Sequence, residues 1–383
     1  MDFRSIRSEF PITKDWIFMD NAGAVPLPRF VTGRMQSFMD EYYKEGITDH
    51  WPLLEETVAD CRSLFAQLIH AEPEEIAMIG STSEGMNIVA NMIDFRSGDN
   101  VVVTDIEFPA NLFPWLNLKN KGVEVRIAEV GNSESALEKI AACTDDRTRV
   151  ISVAHVAFPT GRRLDLAPIA ELAHAHGAYL AVDAVQSAGV VPLDVKADGV
   201  DFLACSGFKW LMSPSGTGMF FCRKDLIQKY NPAYVSWFTV ENPFNFVPGN
   251  DFSLTADARR FMISGNINLI GFQGFREGVR FILDAGVENI YAHVHELISI
   301  MMERARKMGL TFVSPDDVSE LGSIVNIKVP ELDLLMKTLL DNHVYTVQRV
   351  GGVRLSPYFY NTKEEAEAVM DIIEEHVRKV RGV

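Results

Sequence analysis

Between about residue 75 and residue 223 the chain repeats one pattern: a short apolar run, a stretch with helical periodicity, then another apolar run. The runs fall at 75–79, 100–103, 123–127, 150–156, 178–182, 202–205 and 218–222. Runs this short and this apolar suit strands buried on both faces, and helices between them act as crossovers. The pattern predicts an α/β fold with a seven-stranded, mostly parallel sheet covered on both sides. The last two runs are joined by the Gly/Ser/Pro-rich segment 213–218, too short for a helix, so one antiparallel strand is expected. After a loop-rich stretch at 234–257, helical periodicity runs from about 268 to 308, and the tail reads strand, helix, strand, helix.

Open sheets of this kind bind ligands beyond the carboxyl ends of their strands. Three motifs fall there: Gly80-Ser81-Thr82-Ser83-Glu84-Gly85, Asp183-Ala184-Val185-Gln186, and Cys205-Ser206-Gly207-Phe208-Lys209-Trp210. A lysine that forms a Schiff base with an aldehyde, opposite an acid that keeps a pyridine nitrogen protonated, is the minimum equipment for pyridoxal 5′-phosphate (PLP) chemistry. Lys209 and Asp183 are candidates for those two roles. Backbone N–H groups and hydroxyls at the helix start after Gly80 suit a phosphate dianion, although Ser and Thr are favoured there as plain caps too. Gln186 is a candidate donor to the cofactor's phenolic oxygen. The aromatic neighbours Phe208 and Trp210 predict a poorly solvated Lys209 with a lowered pKa. Phe108, between a strand and a helix, is a candidate for stacking on the ring, with an ordinary core position as the competing reading. Arg354, in Gly352-Val353-Arg354-Leu355-Ser356, can grip an α-carboxylate in bidentate fashion, and a surface salt bridge is its bland alternative.

A formal charge of −16 argues against nucleic acid or an anionic membrane as partner, since both need a basic face. The four cysteines show no paired spacing, no apolar stretch reaches the length of a membrane span, and the first residues do not read as a signal peptide. A cytoplasmic protein is expected. His174-Ala175-His176 is not a metal pair, because residues two apart on a helix do not face one another, and no metal is expected.

The segments Val182-Asp183-Ala184-Val185-Gln186, Asp201 through Trp210, Pro214 and Gly216-Thr217-Gly218 resemble the class V aminotransferase family of PLP enzymes. The similarity extends from Phe18-Met19-Asp20-Asn21-Ala22 to Tyr358-Phe359-Tyr360-Asn361-Thr362 and is nearest the cysteine desulfurase and isopenicillin N epimerase-like branch. It implies an aspartate aminotransferase-like PLP fold, with a large domain at 14–265, a connecting helix at 266–308 and a small α+β domain at 309–383 joined by 1–13. It further implies that Thr82, Ser83 and Ser206 bind phosphate, Asp183 the ring nitrogen, Gln186 the phenolic oxygen, and Arg354 the substrate carboxylate. Lys209 would be the catalytic lysine. Asn266, in the segment from Arg260, would reach the phosphate of a partner subunit in a homodimer. Asn21 is expected in the substrate pocket, which loops at 21–23 and 237–238 would shape.

Three departures narrow the expected function. Desulfurases carry histidine where Phe108 and Phe208 stand, and a nucleophilic cysteine shortly before the Arg354 position. The last cysteine of this chain is Cys222, so a persulfide-forming desulfurase of the usual kind is not expected. An aminotransferase acting at the Cα of a small amino acid, with a keto acid as product, is the leading expectation. The alternatives are a lyase cleaving a C–S or C–Se bond of cysteine or selenocysteine, an isopenicillin N epimerase-like epimerase, and a non-catalytic binding module.

Overall fold

The structure is a computed structural model and describes residues 3–44, 51–131, 135–243, 251–263 and 267–382. The strands Ile76–Ile79, Asn100–Thr104, Glu124–Ala128, Thr148–Ala154, Tyr179–Asp183, Phe202–Ser206 and Gly218–Cys222 form one sheet. By first residue they lie in the order 76, 218, 202, 179, 148, 100, 124. Gly218–Cys222 runs antiparallel to both neighbours, and every other pair is parallel. Both expectations for this sheet therefore hold. The strands at 76, 100, 202 and 218 are buried at every position, which is why they read as unbroken apolar runs. Only the edge strand Glu124–Ala128 mixes exposed and buried residues.

The helix Thr82–Met92 lies flush on this sheet. A Cβ on Gly85 would stand 2.5 Å from the Ala204 Cβ, so glycine lets the helix start approach the end of strand Phe202–Ser206.

Four short strands build a second, antiparallel sheet in the order 347–349, 352–355, 325–328, 311–312. The helices Leu332–Asp341 and Lys363–Arg381 accompany it. The strand Ile17–Phe18 pairs in parallel with Val344–Tyr345, and Asp20 bridges to Ser356, so the start of the described chain is stitched to its end. The stretch expected as one helix is two, Leu269–Ala285 and Val287–Lys307, broken at Gly286 with φ +79°. Among the described residues no helix is long and apolar enough to cross a membrane.

A loop at 157–163 locks the two sheets together. Asn326 Nδ2 donates to the Pro159 carbonyl at 2.9 Å, Ser314 Oγ to that of Thr160 at 2.5 Å, and the Gly322 N–H to that of Gly161 at 2.9 Å. Gly161 has φ +74°, and a Cβ there would lie 2.0 Å from the Ile324 carbonyl oxygen. Gly161→Ala should thus destabilise the fold by about 3 kcal/mol, combining left-handed strain with backbone overlap. A urea midpoint for the variant within error of the parent would show that this junction yields freely.

Candidate active site

A cavity of about 340 Å³ opens at the carboxyl edge of the large sheet. Thr82, Ser83, Phe108, Asp183, Gln186, Ser206, Lys209 and Arg354 all line it, so these eight residues, expected from sequence, meet in one place.

Asp183 closes the strand Tyr179–Asp183 and is 1% exposed. Its Oδ1 accepts the Val185 N–H at 2.9 Å, while Oδ2 is buried with no partner. Burial pushes the carboxyl up to about 6, against the pull of that N–H and of the Lys209 charge. An orphaned buried acceptor costs about 1–3 kcal/mol, and a protonated pyridine nitrogen is the donor that would relieve it. The residues present fit PLP at this point.

Lys209 is 7% exposed, with its Nζ 5.8 Å from the ring centroid of Phe108 and 5.6 Å from that of Phe208. Burial lowers its pKa to about 8; the Asp183 charge works upward and the Arg354 charge downward. The amine is therefore far closer to its neutral, nucleophilic form at neutral pH than a solvated lysine.

At the other end of the cavity, Thr82 and Ser206 interlock. The Thr82 N–H donates to Ser206 Oγ at 2.8 Å, the Ser206 N–H donates to Thr82 Oγ1 at 3.0 Å, and the two hydroxyls are 3.0 Å apart. Ser81 takes the capping role, accepting the Glu84 N–H at 3.2 Å. Ser81 finishes the helix, and it lines the cavity together with Thr82, Ser83 and Ser206, at a helix start whose dipole favours an anion.

Gln186 is held from both sides. Its Nε2 donates to the Ala22 carbonyl at 3.0 Å and its Oε1 accepts the Trp210 Nε1–H at 2.9 Å, which leaves one amide N–H for a ligand. Phe108 is 44% exposed and meets Phe158 edge to face, with centroids 5.2 Å apart. The neighbouring Glu107 anchors this loop, accepting from Thr104 Oγ1, Asn111 Nδ2 and the Ala154 N–H, and burial lifts its carboxyl to about 7.

Arg354 is 2% exposed and is not a surface residue. Its Nη2 donates to Asp20 Oδ1 at 2.6 Å and its Nη1 to the Phe158 carbonyl at 3.2 Å, while Nε is buried without a partner. Neither Asp20 nor Phe158 was expected from the sequence, although Asp20 belongs to the Phe18-Met19-Asp20-Asn21-Ala22 motif. The side chain of Asn21 turns away: its Nδ2 donates to the Ser356 carbonyl at 2.9 Å and its Oδ1 accepts from the Tyr360 hydroxyl at 2.7 Å. Its neighbours Ala22 and Gly23 line the cavity, whereas Trp237 and Phe238 do not. Asn266 lies outside the described residues.

Cys61, Cys205 and Cys222 are buried and Cys143 is half-buried; none lines the cavity. Burial raises the thiols of Cys61, Cys205 and Cys222, which makes them poor nucleophiles. Among the described residues no group of three metal-ligating side chains occurs.

The sequence profile described as aminotransferase class-V matches residues 17–369. A probable cysteine desulfurase of Methanothermobacter thermautotrophicus is 28% identical, with 98% of each chain covered. An uncharacterized aminotransferase of Bacillus subtilis is 30% identical, with 96% of each covered. Among solved structures, a cysteine desulfurase from Thermococcus onnurineus superposes with a TM-score of 0.88 at 26% identity, covering 98% of each chain. A cystine C–S lyase, solved with its product cysteine persulfide, shares the fold at 20% identity and a TM-score of 0.87, covering 96% of this chain and 99% of that one.

Proposed function

The chain belongs to the class-V aminotransferase family, PLP enzymes of aspartate aminotransferase-like fold, and from that premise we propose that it is an aminotransferase acting at the Cα of a small amino acid. Bound PLP supplies an electron-withdrawing ring conjugated to the substrate nitrogen, which acidifies the Cα proton. The rest falls to this chain's own side chains. Asp183 holds the ring nitrogen protonated, the Thr82, Ser83 and Ser206 hydroxyls hold phosphate, and Arg354 takes the α-carboxylate. Lys209, with its pKa brought to about 8, takes the Cα proton and returns it nearby.

The observation that carries this reading is that Lys209 is, among the described residues, the one amine or imidazole lining the cavity. Phe108 and Phe208 flank its amine and Phe158 lines the same cavity, all without an exchangeable proton, and among the described residues the other ionisable lining groups are Asp183 and two arginines. Reprotonation from the opposite face would require a second base, so epimerisation is disfavoured. No cysteine follows Cys222, which disfavours transfer of sulfur to a protein thiol. The names of several relatives favour a second reading, a lyase in which sulfur leaves with the departing fragment and no protein thiol is needed. We also read the protein as a homodimer, on the strength of the family resemblance, and as cytoplasmic, on its four cysteines without paired spacing.

The absorbance of the holoenzyme, followed with a panel of L-amino acids and no keto acid, tests the choice. Bleaching of the yellow band with pyridoxamine phosphate recovered by mass spectrometry supports transamination and names the donor. Release of pyruvate or sulfide without pyridoxamine phosphate would replace it with the lyase reading.

A further inference from the structure

The hairpin that carries Arg354 also carries a second arginine to the same cavity. Strands Val347–Arg349 and Gly352–Leu355 pair with Val347 opposite Arg354 and Arg349 opposite Gly352. Residues two apart on a strand share a face, so Arg349, Gly352 and Arg354 all lie on one side of the sheet. Asn326 lies on that side too, opposite Arg354 on the next strand, and its amide reaches the Pro159 carbonyl of the junction loop. Arg349 and Arg354 are therefore diagonal neighbours, with backbones about 7–8 Å apart, and both line the cavity.

Their surroundings differ. Arg354 is buried and already faces the Asp20 carboxylate. Arg349 is exposed at the cavity rim, and among the described residues its side chain makes one hydrogen bond, from Nη1 to the Gln348 carbonyl, and no ion pair. Its charge nonetheless acts on Arg354, whose pKa burial lowers first and Arg349 lowers further.

The base of Arg349 is held in place. Asn326 Nδ2 donates to the Arg349 carbonyl at 2.8 Å. The next residues, Val350 and Gly351, have φ +48° and +77°, the positive values of a tight two-residue hairpin turn. A β-branched residue in that region is strained, and such strain persists where the surrounding structure over-determines it. Opposite Arg349, Gly352 presents no side chain, and a Cβ there would stand 2.1 Å from Asn326 Oδ1. The lane between the two guanidinium groups is thus kept clear.

We propose that Arg349 is a second anion subsite, and that the preferred substrates are amino acids whose short side chain ends in an acid such as a carboxylate or sulfinate. Arg354 takes the α-carboxylate and Arg349 takes the side-chain anion at the rim. The hydroxyls expected to hold the cofactor phosphate belong to the start of the helix Thr82–Met92 and the end of the strand Phe202–Ser206, away from this hairpin, which leaves Arg349 for substrate. The inference rests on the reading of the cavity as a PLP site acting at Cα, and the test separates the two.

Calorimetry on the holoenzyme should show succinate binding about tenfold or more tighter than butyrate, because the second carboxylate gains a charge-assisted contact. Arg349→Gln should remove that preference and Arg349→Lys should restore part of it. In turnover, Arg349→Gln should lower kcat/KM for L-aspartate about 10–100-fold more than for L-asparagine, which has the same shape without the charge. Equal binding of succinate and butyrate, or equal losses on both amino acids, would overturn the second subsite. Succinate preference without turnover of any amino acid would keep the subsite and overturn the enzymatic reading instead.

Discussion

Lys209→Ala should lower kcat by about ten-thousand-fold, the upper range for loss of a positioned acid–base group. The loss should come without unfolding. Burial opposes the charged form of this lysine, so truncating it removes a cost as well as a few apolar contacts, and the melting temperature should stay level or rise. The same burial sets a pH signature. A pKa lowered to about 8 leaves the amine mostly neutral above that pH, so the rate at which apo-protein captures PLP should climb through pH 8 and then level off. A rate still climbing near pH 10, as for a solvated lysine, would show that the desolvation is not real. Retention of a tenth of the parent kcat by the alanine variant would remove Lys209 from the chemistry.

Asp183→Asn should lower kcat by about a thousand-fold, as expected when a preorganised charge is removed from a water-poor site. The amide preserves size and can still accept the Val185 N–H, so cofactor binding should survive. What it loses is the charge proposed to keep a ring nitrogen protonated. A second consequence follows with a definite sign. The Asp183 charge is the largest influence raising the Lys209 pKa, so its removal lets burial and Arg354 weigh more heavily and the midpoint for PLP capture should move below pH 8. An asparagine variant within tenfold of the parent kcat, or a midpoint moving upward, would contradict the assignment.

The large sheet was legible because its strands are buried on both faces and announce themselves as apolar runs. The strands Thr311–Phe312, Val344–Tyr345 and Val347–Arg349 were not, since two or three residues are too few to form a pattern. The break at Gly286 hid inside a helical periodicity that both flanking helices continue. In the site, Asp183, Gln186, Ser206 and Lys209 were readable because each sits within a few residues of a strand end. The clamp on Arg354 was not, because Asp20 is 334 positions away and is brought near by the pairing of 17–18 with 344–345 and its own bridge to Ser356. Asn21, the neighbour singled out, faces Tyr360 and Ser356 instead of the cavity. Arg349 escaped notice for a similar reason: only the hairpin register shows that it shares a face with Arg354.

That early pairing has a consequence for the order of events during synthesis. Residues 17–20 emerge from the ribosome before any of their partners exist, and their strand has nothing to join until 344–345 follow. The strand pairs of the large sheet all lie within 76–222, so its ladders can form first, as domains generally do during translation. The contact of Asp20 with Arg354, the side chain proposed to take the substrate carboxylate, is among the last long-range contacts to close, and closing so long a loop costs little more entropy than closing a shorter one. A nascent or C-terminally shortened chain would thus lack the Asp20–Arg354 pair, and with it the hydrogen bonds from the Tyr358 hydroxyl to the Trp210 and Gly189 carbonyls that brace the segment after Lys209, so the cavity stays unfinished until the molecule is whole.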